Sequence, residues 1–65
     1  MAALVEVRTK ADVTQRELAR RLGRAHSYVS RIELGDRRLD VPEFIQWCEV
    51  LRADPVEVIR RIVRR

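Results

Sequence analysis

Thr14-Gln15-Arg16-Glu17-Leu18-Ala19-Arg20-Arg21-Leu22-Gly23, followed five residues later by Val29-Ser30-Arg31-Ile32-Glu33-Leu34-Gly35, is the stretch on which the fold turns. Thr14 and Glu17 stand at the spacing of a capping box, in which the two side chains satisfy orphan N–H groups reciprocally. Leu18, Ala19 and Leu22 then supply one buried face, and Gly23 offers the left-handed residue that stops a helix. A second helix is predicted from about His26 to Leu34, ending at Gly35-Asp36. Val29, Ile32 and Glu33 fall on one side of it; Ser27, Ser30, Arg31 and Leu34 fall on the other. Only Gly23, Arg24 and Ala25, or these with His26, separate the two helices, which suits a steep crossing. Such a pair can lay its second helix in a DNA major groove while the first crosses the backbone above it. Val29 and Ile32 would anchor that helix, Ser27, Ser30 and Arg31 would read, and Arg16, Arg24, Arg37 and Arg38 would surround the docking face with positive charge.

The remainder extends the helical reading in both directions. Leu4, Val7 and Ala11 form a helical stripe over residues 3–11, broken at Asp12-Val13. Asp40 caps a fourth helix with Pro42 in its first turn and Glu43 closing a second capping box. Phe44, Ile45, Cys48 and Leu51 are its apolar face, with Trp47 at the edge. Asp54-Pro55-Val56-Glu57 repeats the same cap-Pro-x-Glu grammar and opens a fifth helix carrying Val58, Ile59, Ile62 and Val63. No segment alternates as a half-buried strand and no repeat is visible. The expectation is an all-α, compact five-helix bundle.

Sixty-five residues make one domain, 1–65, with its helix-turn-helix core at 14–35. A chain this short buries only about 60% of the surface its unfolded form exposes, so its stability is marginal. One cysteine, Cys48, rules out an internal disulfide, and with His26 as the sole histidine no metal site and no cofactor are expected. Fourteen Lys and Arg against ten Asp and Glu give a formal charge of +4, and thirteen of the fourteen are Arg. Arg forks onto phosphate or guanine better than Lys does. Charge alone does not separate nucleic acid from an anionic membrane or an acidic protein. The apolar runs are only a few residues long, so no membrane span or secretory segment is expected, and the chain is expected to stay in a reducing cytoplasm.

The quoted stretch is similar to the Cro-type, or XRE, helix-turn-helix family of phage and bacterial repressors. The likeness spreads through Leu4, Val7 and Arg8 at first-helix positions, Arg38 in the following loop and Phe44 through Leu51 in the fourth helix, and so covers nearly the whole chain. It implies the phage-repressor type of DNA-binding domain. By the same resemblance Gln15 contacts a phosphate, aided by the helix N-terminus. His26, Ser27 and Arg31 fall where family members touch base edges, and Tyr28 falls beside them, within reach of a base or the sugar-phosphate chain. Arg31 can bond guanine O6 and N7 together. Arg8 and Glu33 occupy positions that often pair. Two departures stand out: Ala25 replaces the usual Ser or Thr at the start of the recognition helix, and Leu34 replaces a commonly polar residue.

Plainer readings compete at several positions. Arg20 and Arg21 read best as a solvated helix face, and Arg60-Arg61 with Arg64-Arg65 as a basic helix end favoured by the macrodipole. Trp47 could simply fill the core; as an aromatic anchor it would join Val56, Ile59, Ile62 and Val63 in a dimer interface within residues 44–65. The leading function is a homodimeric transcriptional repressor that reads a palindromic double-stranded operator through the major groove. The alternative is an antitoxin-type module that covers a partner protein and represses its own promoter. No constellation for catalysis is present, so no enzyme is expected. Single-stranded RNA is disfavoured because Tyr28, Phe44 and Trp47 are the only aromatic residues.

Overall fold

The computed structural model describes residues 2–63, and the capping signals fall where its helices begin. Among these residues there are five helices and no strand: α1 (Ala2–Lys10), α2 (Gln15–Leu22), α3 (Ser27–Glu33), α4 (Val41–Leu51) and α5 (Pro55–Val63). Arg64 and Arg65 of the basic end lie outside the described residues. The Thr14 hydroxyl accepts the Glu17 N–H at 3.1 Å. The expected reciprocal half is replaced, because the Glu17 carboxylate takes Arg20 and Arg21 instead. Two guanidiniums outcompete one neutral amide for a carboxylate. At α4 the capping box is complete: Asp40 Oδ1 accepts the Glu43 N–H at 2.8 Å, and Glu43 Oε1 accepts the Asp40 N–H at 3.0 Å. Asp54 caps α5 by accepting the Val56 N–H.

The first four helices all stop in the same way. A left-handed residue follows each, and the next N–H reaches back five residues: Val13 to Arg8, Arg24 to Ala19, Asp36 to Arg31 and Ala53 to Cys48. Glycine holds two of these turns, Gly23 at φ 69° and Gly35 at φ 85°. Asp12 and Arg52 hold the other two, which is why the sequence marks those helix ends less clearly.

Packing places α2 against α3 and α4, α1 against α5 and α3, and α4 against α5. The core joins Leu4 and Val13 to Leu18, Ala19 and Leu22 of α2, to Val29 and Ile32 of α3, and to Cys48, Leu51 and Val58. Four positions differ from the periodic reading. Ala11 lies exposed beyond α1, and Val13 takes a core place instead. Ile45 is 43% exposed whereas Trp47 is 1% exposed, because α4 packs against two neighbours and turns a broader face inward than one stripe. The Trp47 indole Nε1 is buried without a hydrogen bond. That costs about 1–3 kcal/mol, less than the roughly 4–6 kcal/mol that burying an indole contributes.

Asp40→Ala removes one side-chain cap and leaves the backbone N–H that Glu43 uses. The expected loss is about 1 kcal/mol, read as a melting temperature about 4–8 °C lower in a circular-dichroism melt.

Candidate nucleic-acid interface

The inward face of α3 is apolar and closely held, with Val29 and Ile32 essentially inaccessible. With those anchors fixed, the 3.6-residue period turns Ser27, Arg31 and Leu34 to solvent, and His26 stands exposed at the N-terminus. Arg31 has no side-chain partner among the described residues, so its guanidinium is available to a ligand. Leu34 is 75% exposed at the far end of the same stripe. His26 occupies the N-cap position in a helical conformation and its side chain makes no cap, so the absence of a hydroxyl at Ala25 is not compensated there. Ser30 is half-buried, and its hydroxyl donates to the Ser27 carbonyl of its own helix at 3.0 Å. To donate to a phosphate it must first break that bond.

Three helices meet around one carboxylate. Glu33 Oε2 accepts from Arg8 Nε at 2.7 Å and Glu33 Oε1 from Arg8 Nη2 at 3.1 Å, a bidentate pair between α1 and α3. Arg8 Nη1 also donates to the Val13 carbonyl at 2.9 Å. Gln15, at the start of α2, donates its Nε2 to Glu33 Oε1 at 2.8 Å. A carboxylate only accepts, so the amide must present nitrogen to it, leaving the second N–H of Gln15 for another acceptor.

A second cluster forms around Tyr28. This residue, expected among the base-reading groups, is 8% exposed and turned into the protein. Its ring lies 6.3 Å from that of Trp47, tilted by 59°. Burying both rings together outweighs leaving a tyrosine in water, and its hydroxyl finds Glu43 Oε2 at 3.1 Å. The guanidiniums of Arg24 and Arg37 lie over the Tyr28 ring at 4.7 and 4.8 Å from its centroid. Both also pair with Glu43, at 3.3 and 3.1 Å. Sequence reasoning assigned Glu43 only a capping role; its reach to residues 15 and 19 positions away in the chain leaves no local signal.

The remaining expected contacts divide clearly. Arg16 and Arg38 are exposed, and neither side chain has a partner among the described residues. Arg20 and Arg21 are held by Glu17 on the helix surface. Trp47, placed by the periodic reading at the edge of α4 and hence at a dimer interface, is core and cannot touch a second molecule without unfolding. Val56, Ile59 and Val63 are exposed, and Ile62 is half-buried. Ile59 and Ile62 also line a groove of about 480 Å³ with Leu4, Ile32, Val41 and Phe44.

The Asp40 N–H, then the Arg37 guanidinium, holds the Glu43 carboxyl at about 2 rather than 4.5. Hydrogen bonds from Arg20 and then Arg21 hold Glu17 at about 2 in the same way, although surface pairs of that kind contribute little. A carboxyl whose folded pKa is depressed contributes stability above its unfolded pKa and loses it as pH falls through the folded value. The melting temperature is therefore expected to drop between about pH 4.5 and 2. Glu43→Gln removes its share, so an acid titration of the variant should fall less steeply across that window.

No curated protein matches this chain. Residues 2–60 match the family described as a helix-turn-helix domain. Among solved structures, an XRE-family like protein from Pseudomonas syringae pv. tomato str. DC3000 is 44% identical, with a TM-score of 0.85; the match covers 94% of this chain and 74% of that one. With its α2–turn–α3 unit and the match across residues 2–60, the chain belongs to the XRE-type helix-turn-helix family of DNA-binding regulators.

Proposed function

We propose that the protein is a sequence-specific transcription regulator, a homodimeric repressor that reads a palindromic operator in double-stranded DNA through the major groove. The observation that carries this reading is the two-sided α3: Val29 and Ile32 locked in the core, Ser27 and Arg31 presented outward beside the exposed His26. His26, Ser27 and Arg31 are the base-contacting set, and Tyr28 is left out because its ring is buried. Gln15, Arg16, Arg24, Arg37 and Arg38 take phosphates, with Ser30 joining once its internal bond is exchanged. No cofactor enters this reading. A cytoplasmic site of action belongs to it, and no helix among the described residues is long and apolar enough to cross a membrane.

Dimerisation is supported by surface and by size. Val56, Ile59 and Val63 are exposed on an α5 that sends only Val58 fully into the core. The domain measures 30 × 24 × 20 Å. Two such bodies side by side suit recognition helices about 34 Å apart, one turn of duplex. The same apolar surface would also serve an antitoxin-type module that covers a partner protein, which is the second reading.

The test is selection from a pool of random duplexes at two salt concentrations. Enrichment of an inverted repeat, with affinity falling steeply as salt rises, is expected; sequence-blind binding would indicate an architectural role, and no binding would favour the partner-covering module. On the selected site Arg31→Ala should lose about 1–3 kcal/mol of base discrimination. Gln15→Ala should weaken all duplexes alike. If Arg31→Ala keeps the wild-type preference between selected and random duplexes, the groove assignment fails. Ile59→Arg should convert a sedimenting dimer to monomer and weaken inverted-repeat binding; a variant that stays dimeric places the interface elsewhere.

A further inference from the structure

The Tyr28 cluster has features that neither core packing nor helix capping requires. Arg24 comes from the α2–α3 turn and Arg37 from the α3–α4 connection, yet both guanidiniums converge on one ring and one carboxylate. The ring cannot move, because Tyr28 is buried beside Trp47. Nor can the carboxylate, since it also accepts from the Asp40 N–H and the Tyr28 hydroxyl. The arginines themselves remain at the surface, with side chains 42% and 36% exposed. A guanidinium has five N–H donors. Arg24 commits only Nη2 to Glu43, and Arg37, whose Nη1 also donates to the Arg38 carbonyl, keeps its Nε uncommitted, so both partly exposed side chains retain donors.

We propose that Glu43 and Tyr28 are positioning residues which hold Arg24 and Arg37 as one preorganised cationic edge for the DNA phosphates beside the recognition helix. The inference rests on the DNA-binding reading and adds to it the device that fixes two of its phosphate contacts. A long side chain already fixed in the free protein loses less freedom on binding, an advantage of about two- to tenfold in affinity per side chain. Glu43 is itself negative and lies within a Debye length, about 8 Å at physiological salt, of any phosphate its arginines hold. Charge alone therefore predicts that neutralising Glu43 tightens DNA binding. Positioning predicts the opposite sign.

The experiment compares the full chain with Glu43→Gln, with the double variant R24Q/R37Q and with the triple variant, on the selected operator duplex and on a random duplex across a salt series. Glu43→Gln is expected to weaken both duplexes by about three- to tenfold. In the R24Q/R37Q background the same change should add no further loss. Binding by Glu43→Gln as tight as or tighter than that of the unaltered chain overturns the proposal, as does an equal loss in the double-variant background. Trp47 emission, from the sole tryptophan, reports whether each variant is folded at the assay temperature. Should Glu43→Gln fail to fold, Tyr28→Phe and Tyr28→Leu replace it. The first keeps a ring under both guanidiniums and should bind within about threefold of the unaltered chain; the second keeps an apolar filling without a ring and should bind more weakly. Equal binding by the two overturns the proposal. If the unaltered chain binds no duplex at all, the DNA reading falls and this inference falls with it; the other adverse outcomes overturn this inference alone.

Discussion

The carboxylate of Glu33 is the point through which the first three helices are fixed to one another. It sits at the last turn of α3, where the helix dipole is negative and an acidic residue is out of place. The bidentate Arg8 pair offsets that cost, and Gln15 adds a third donor from α2. With side chains 12% and 5% exposed, the two ions are largely desolvated. A pair of this kind contributes little net stability against an apolar replacement, but removing one partner leaves a stranded charge at about 3–5 kcal/mol. Its consequence is geometric: the cluster sets the angle between the helix that would cross the DNA backbone and the helix that would enter the groove. It also fixes the orientation of the Gln15 amide.

None of these helices could stand alone. Among the described residues α3 has seven residues and α4, the longest helix, eleven, while isolated helices below about 12–15 residues are marginal in water. Each is held by its caps and by a few buried side chains. For α3 those are Tyr28, Val29 and Ile32, on the face opposite Ser27 and Arg31. The reading face is therefore as rigid as the core beneath it. Loosening of the α2–α3 packing would displace Ser27 and Arg31 directly.

Local chemistry was legible in the sequence; of the long-range contacts only the Arg8–Glu33 pair was expected, and that through the family resemblance. Thr14, Gly23, Gly35 and Asp40 announce their helix ends because capping depends on neighbours a few residues away. The stripes of α2 and α3 were equally clear, since each turns one narrow face to the core. In α4 the same reasoning put Ile45 inside and Trp47 at the rim, because a single stripe cannot describe a helix packed against both α2 and α5. The family resemblance set Tyr28 beside the base-reading groups. The ring next to Trp47 and the carboxylate of Glu43 draw it inward instead. Neither partner is near it in the chain.

The net charge of +4 also becomes more specific once the side chains are placed. Arg8 is held by Glu33, Arg20 and Arg21 by Glu17, Arg60 by Glu57 and Arg61 by Glu6. These pairs offset positive charge on α1, α5 and the outer side of α2, with Arg20 and Arg21 sharing one carboxylate. Arg16, Arg31 and Arg38 have no acidic partner among the described residues, and Arg24 and Arg37 share a single carboxylate. Among the described residues the arginines without an acidic partner, and the two that share one, thus lie in α2, α3 and the connections that flank α3, while Lys10 and Arg52 are the other unpaired cations. A polyanion approaching this surface is drawn to the segment that carries the reading face. Glu57 and Glu6 contribute to that selectivity by pairing with positive charge elsewhere, on Arg60 and Arg61, so the same count of arginines without them would give a stronger but less directed attraction.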